Sequence, residues 1–414
     1  MDPAELVDEA SLDSTAEREL HSGPGPADGR LARLCGALAS PLAGDDNSIL
    51  LGPNWFASVM GTGIIAVAGA TLPIRLPGLD ALTMAAWVLS ASILAVLCVA
   101  VGVNWLRRRR GVYDVAHDPV MSQFFGAPPM AFMTVGLGTL LVGSRVIGQG
   151  PALVVDWVLW SLGTIGGLVT AAVVPFLLFT RHSVPKDGAF GGWLMPVVPP
   201  MVSASTGAAL VTHLPPGQGQ QTMLFACYAM FGMTLIASLI IITLIWSRLA
   251  HFGSSGSPRV PTLWIVLGPI GQSITAAGTL GTAALVVLVV PMSTAFNLMA
   301  VLYGVPMWGF GVLWFSIATM LTVRALRARM GFALTWWSFT FPVGTCVTGT
   351  TQLAVHTGLV FFQWAAVALY VCLLAAWVTV GIRTTRGAWR GDLLRVKLGA
   401  PQPRGRKKGQ PATT

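Results

Sequence analysis

Residues 81–106 read ALTMAAWVLSASILAVLCVAVGVNWL, a stretch with no charged side chain. A hydrocarbon core roughly 30 Å thick needs about 20 apolar residues per helix, and open sheets cannot hide their backbone polar groups in lipid. The stretch therefore predicts a membrane-spanning helix. Working outward, similar runs recur from Gly52 to about Ile382, and spans are expected at 52–72, 81–106, 125–147, 153–180, 191–213, 221–247, 261–288, 293–323, 331–353 and 357–381. Of the 414 residues, 54% are hydrophobic and only 10% are charged, a composition foreign to water-soluble domains. The expected fold class is an all-α membrane protein with ten transmembrane helices over residues 50–384.

The flanking segments differ sharply from this domain. Residues 1–47 carry ten carboxylates against three arginines and no long apolar run, so residues 1–49 are expected as an acidic, disordered tail. From Arg383 onward lie nine basic residues, including Arg404, Arg406, Lys407 and Lys408, and residues 385–414 are expected as a basic, disordered tail. Basic residues also follow every even span up to the eighth: Arg107 to Arg110, Arg181 and Lys186, Arg248 and Arg259, then Arg324, Arg327 and Arg329. With the tails, 23 of the 25 basic residues fall on one side, and only Arg75 and Arg145 fall opposite. The positive-inside rule then places both termini in the cytoplasm. The net charge of +9 is thereby a topology signal, with no folded soluble module to present it to nucleic acid.

A repeat is written in proline. Pro53, Pro128, Pro199, Pro269 and Pro342 are separated by 75, 71, 70 and 73 residues, each beside small residues and each in an odd-numbered span. The repeating unit is thus a helical hairpin of about seventy residues, used five times. Proline removes a backbone donor and clashes with the preceding turn, so it is tolerated in a span where side chains or water satisfy the freed carbonyl. Odd helices are therefore expected to line a central wet pore, with the even, Leu- and Val-rich helices outside. Pro175 and Pro306 in even spans leave this segregation incomplete.

Absences narrow the chemistry. Within the ten spans Asp156 is the only carboxylate, and no lysine or arginine lies at mid-depth, so proton coupling through a buried acid is not indicated. The five cysteines are scattered singly without CxxC, and the six histidines show no HxxxH or HExxH spacing, so no catalytic residue, metal site or cofactor is assigned. No GxxxxGK[ST] loop is present. Mild polar groups cluster near the prolines instead, and the expected pore lining is Asn54, Ser58, Thr62, Pro128, Pro199, Ser203, Pro269, Gln272, Ser273, Thr340 and Pro342. Ser205, Thr206, Thr275, Ser338, Thr345 and Thr348 lie in the same regions. Such groups can hydrogen-bond an anion without trapping it. Each hydroxyl can equally bond its own helix backbone.

Five ordered motifs, GPNWFASVMGTG (52–63), HDPVMSQFFGAPPM (117–130), WLMPVVPPMVSASTGA (193–208), LWIVLGPIGQS (263–273) and WWSFTFPVGT (336–345), together resemble the tellurite-resistance/dicarboxylate transporter family. That family embraces malate permease, sulfite efflux pump and slow-type anion channel relatives. The resemblance covers about residues 50 to 385 and neither tail. It implies a homotrimer, a pore within each protomer formed by odd helices, and closure of that pore by a phenylalanine of the ninth. Phe339 and Phe341 flank Thr340 just before Pro342, and the resemblance favours Phe341 as the gate.

The expected function is membrane transport of small inorganic or organic anions, such as sulfite or a C4-dicarboxylate, by a channel or facilitative exporter. Proton-linked uptake of an organic acid is the alternative within transport, and an intramembrane enzyme is disfavoured by the absence of a histidine near mid-membrane. Arginine outnumbers lysine 21 to 4, which points to a GC-rich bacterial genome and hence to the plasma (inner) membrane. His117 and Asp118, at the entry to the third span, read either as a helix-entry motif or as an anion vestibule.

Overall fold

The computed structural model describes residues 48–50, 52–107, 111–254, 257–390, 393 and 395–397. Most of the acidic tail, most of the basic tail, and Arg108 to Arg110 lie outside the described residues. Two short stretches near the domain ends, Ser48–Leu50 and Arg395–Lys397, pair as antiparallel strands, with Ile49 opposite Val396. The remaining architecture is helical.

Among the described residues ten helices exceed ten residues: α1 (Phe56–Thr71), α2 (Leu79–Arg107), α3 (Ala127–Gly138), α4 (Gln149–Thr180), α5 (Pro199–Val211), α6 (Gln218–Phe252), α7 (Leu267–Val287), α8 (Met292–Arg327), α9 (Phe341–Thr357) and α10 (Val360–Arg390). Odd helices are short, at 16, 12, 13, 21 and 17 residues, while the even ones run from 29 to 36. Seven segments are long and apolar enough to cross a membrane: 79–106, 121–147, 149–180, 218–252, 259–287, 292–327 and 360–390. The sequence leads one to expect ten. The odd helices outside these segments are α1, α5 and α9, whereas the segments that hold α3 and α7 reach the required length by including the 3₁₀ winding that runs into them.

That tighter winding is the structural form of the repeat. Segments of 3₁₀-helix at Pro53–Trp55, Met121–Gly126, Gly191–Leu194, Ser257–Val266 and Leu334–Phe339 precede α1, α3, α5, α7 and α9 respectively. The repeated prolines sit where the winding changes. Pro128, Pro199 and Pro342 occupy the first or second position of their α-helices, and Pro53 opens its 3₁₀ turn. At such positions the missing N–H would have had no partner, and the fixed φ already suits a helix. The freed carbonyl expected of a proline within a span therefore does not arise at these four positions. Among the described residues the prolines deep inside α-helices are Pro175 of α4 and Pro306 of α8, both in even helices, and Pro261 lies within the 3₁₀ segment before α7.

The odd helices pack in a closed ring, α1 on α3, α3 on α5, α5 on α7, α7 on α9 and α9 on α1. Each even helix packs against the odd helix before it and the odd helix after it. Burial follows the same division: 72% of the apolar window in residues 259–287 is buried, against 22% in residues 292–327. α7 and α9 pack on each other most extensively, and a Cβ at Gly271 would lie 2.5 Å from the backbone nitrogen of Cys346.

Indole N–H groups tie the two layers together. Trp87 of α2 donates to Thr139 Oγ1 at 2.9 Å, in the π-turn that continues α3. Trp160 of α4 donates to the Ser203 carbonyl of α5 at 3.0 Å, Trp308 of α8 to Thr350 Oγ1 of α9 at 3.0 Å, and Trp377 of α10 to Thr62 Oγ1 of α1 at 3.1 Å. In each case an even helix grips the odd helix that follows it around the ring. At one end of the bundle Arg145 pairs with Asp80 at 2.8 Å, joining the α1–α2 and α3–α4 turns. At the other, His182 Nε2 lies 3.1 Å from the Ala116 carbonyl.

Candidate functional site

Inside the ring lies a cavity of about 340 Å³. Every residue that lines it belongs to an odd helix or its direct extension: Ile64 and Thr71 from the first repeat, Thr134 and Leu141 from the second, Ser205 and Thr212 from the third, Gln272 and Thr282 from the fourth, Gln352 and Val355 from the fifth, among others. Its mouth is at the C-terminal ends of these helices, where Thr71, Thr212, Thr282 and Val355 stand. Among the described residues its lining contains no lysine, arginine, histidine or carboxylate.

A second cavity, about 30 Å³, lies toward the N-terminal ends of the same helices. Its wall is mostly apolar, with Met60, Phe124, Met130, Met195 and Ile265. Phe341 lines both cavities. Phe341 is the first residue of α9 and is buried. Thr340, just before it, donates to the Trp337 carbonyl at 2.7 Å, and the Trp337 indole donates to Thr384 Oγ1 of α10 at 3.1 Å. Gly61 of α1 makes room for this turn, because a Cβ there would collide with Thr340 Oγ1 and lie 2.7 Å from the Trp337 ring. The ring of Phe341 is therefore carried by a turn braced from both helices beside it.

The residues singled out in the sequence divide by location. Gln272 lines the large cavity, Pro269 and Pro342 line the small one, and Phe341 lines both. Phe339 packs edge-on against Trp264 and Trp336, with centroids 5.3 and 5.6 Å away, outside both walls. Thr62 and Ser203 are occupied by indoles and by Thr164, whose hydroxyl donates to Ser203 Oγ at 3.0 Å. Ser58 donates to the Trp55 carbonyl, Ser273 to the Ile270 carbonyl and Thr340 to that of Trp337. Pro199 packs against Gly167 of α4. Asn54 and Pro128 are half-buried at the starts of their repeats, in neither wall.

Residues the sequence reading left out of the pore set include Thr134, Thr279, Thr282 and Gln352. A signal for them existed: they lie about two to four turns C-terminal to the prolines, where the odd spans continue as regular helix. Asp118 accepts hydrogen bonds at Oδ1 from the backbone N–H groups of Val120 and Met121, at 2.9 and 2.7 Å, and so caps the 3₁₀ segment before α3. His117 stacks on Tyr113 with centroids 3.8 Å apart. This is the geometry of a helix entry.

A ring of helices around a cavity of about 340 Å³, wrapped by apolar helices long enough to span lipid, defines a multi-pass membrane protein. The profile of the voltage-dependent anion channel family matches residues 51–385, and the chain belongs to that family of anion channels and transporters. It is 27% identical to the sulfite efflux pump of Trichophyton rubrum over 355 residues, covering 83% of this chain and 92% of the relative. It is 26% identical to an uncharacterized transporter of Methanocaldococcus jannaschii, over 83% and 95% of the two chains. It is 18% identical to the malic acid transport protein of Schizosaccharomyces pombe, over 82% and 79%.

Proposed function

We propose that the chain conducts small anions, sulfite or a C4-dicarboxylate such as malate, along the axis of the odd-helix ring, and that Phe341 closes the path. The observation that carries this reading is the placement of Phe341 in the walls of both cavities, the wide one of about 340 Å³ and the narrow one of about 30 Å³. An apolar constriction stops ions by dewetting, without any fixed charge. A cavity lacking cations suits passage, since a bound anion is held weakly enough to leave. An inside-negative potential contributes about 2.3 kcal/mol per elementary charge per 100 mV to outward movement of an anion, so efflux needs no further energy source and no catalytic step.

On this reading all ten helices cross the bilayer as five hairpins. The 16 residues of α1 span about 24 Å, and the preceding three-residue 3₁₀ turn adds about 6 Å, which matches the hydrocarbon thickness. Both termini are then cytoplasmic, the large cavity opens outward, and the protein resides in the plasma membrane as a homotrimer with one path per protomer. The charge asymmetry of the loops supports the orientation, and the family resemblance supports the trimer.

Purified protein in liposomes tests the reading. Sulfite or malate flux that responds to an imposed potential is expected. Flux absent at every potential, for both anions and for the Phe341→Ala variant, contradicts it.

A further inference from the structure

We infer that the side-chain amides of Gln352 and Gln272 are the hydrogen-bond donors that admit anions to the large cavity, and that the surrounding threonines are not. This inference rests on the permeation path proposed above.

The argument begins with where the hydroxyl protons go. Thr134 donates to the Met130 carbonyl at 2.7 Å, Thr206 to Val202 at 2.8 Å and Thr279 to Thr275 at 3.0 Å, each back into its own helix, while the Thr275 and Thr348 hydroxyls bond each other at 2.7 Å within the wall. A hydroxyl has one proton. Committed to a carbonyl, it turns only lone pairs toward the cavity, and a wall of lone pairs repels an anion. Among the described residues the lining includes no lysine, arginine or histidine to offset that repulsion.

Two side chains of the lining carry more protons than the helices consume. Gln272 on α7 donates one amide hydrogen to Ser205 Oγ on α5 and retains a second. Gln352 on α9 lies across Gly278 of α7, where a Cβ would stand 2.5 Å from its own Cβ and 2.7 Å from its Oε1. The glycine thus lets the Gln352 stem lie flat on α7 within the cavity wall. The two carboxamides come from the most extensively packed pair of odd helices, so a donor pair is held on one side of the path.

The test is the reversal potential of full-length protein in planar bilayers under a potassium nitrate gradient, a quantity independent of how much protein inserts. Phe341→Ala serves as the conducting background. Gln352→Glu keeps the shape and exchanges the donor for a negative oxygen. It is expected to lower the anion-over-cation permeability ratio about ten- to a hundredfold, the equivalent of one hydrogen bond to a charged group. Gln272→Glu is expected to act in the same direction, and Thr206→Val to shift the ratio far less. An unchanged ratio in both glutamate variants, or a larger loss in Thr206→Val, overturns the donor assignment while leaving the path intact. A background that carries no nitrate current overturns the path itself, and the donor assignment with it.

Discussion

The Trp377 indole donates to Thr62 Oγ1 at 3.1 Å across 315 residues of sequence, fastening the last long helix to the first and closing the helical ring. It is one of four such bonds from an even helix to the next odd helix, with donors Trp87, Trp160, Trp308 and Trp377. The fourfold use of one device shows what holds a ring of short helices together in lipid, where apolar burial between helices contributes little.

Breaking this clasp is expected to loosen the fold without changing which ion passes. Thr62→Val keeps the shape and deletes the acceptor, and it is expected to cost about 0.6–2 kcal/mol. Thermal unfolding in detergent reads the loss. A change in anion selectivity with unaltered stability would instead assign Thr62 to the path.

Asp156 presents the opposite case, a group whose removal is expected to help. Its side chain is fully buried in α4 beside Gly136 of α3, and neither oxygen has a hydrogen-bond partner among the described residues. A buried, unpaired charge is costly, and asparagine removes it at nearly constant shape. Asp156→Asn is expected to raise the unfolding temperature and to retain anion flux. A variant that folds normally but loses flux would make this carboxylate part of transport.

Topology is open to direct labelling. In a background stripped of native cysteines, a cysteine at Ser183 is expected to react only from the cytoplasm, and cysteines at Pro216 and Val355 only from outside. Val355 stands at the mouth of the large cavity. Labelling of Pro216→Cys and Val355→Cys exclusively from inside would invert the orientation or change the number of crossings.

Much of this architecture is legible before any coordinates. Proline spacing reveals the fivefold unit, and the polarity of the spans separates inner from outer helices. The facing of individual side chains is another matter. The odd helices are buried nearly all round: in α5 every residue but Ala209 is buried. No apolar stripe then distinguishes a wall residue such as Thr134 from a packing residue such as Thr62. Proline context misleads for a related reason. A proline that starts an α-helix after a 3₁₀ turn leaves the same apolar sequence around it as one that kinks a span, so Pro342 reads as an interruption although it stands at the second position of α9. The indole clasps went unread because tryptophan in a span is read as apolar bulk, and their separations of 73, 148 and 69 residues follow the proline unit, once doubled.

The role given to Phe341 separates from ordinary packing by sign. Deleting a buried phenylalanine costs roughly 3–5 kcal/mol and lowers the activity of a protein that merely needs it for packing. Deleting a ring that stands between two cavities joins them. The most direct measurement is single-channel or liposome anion conductance of Phe341→Ala beside Phe339→Ala, whose ring packs on Trp264 and Trp336. The expected result is conductance several-fold above wild type for Phe341→Ala and none gained for Phe339→Ala. Normally folded Phe341→Ala protein that conducts no better than wild type would contradict the assignment of this ring as the closure of the path.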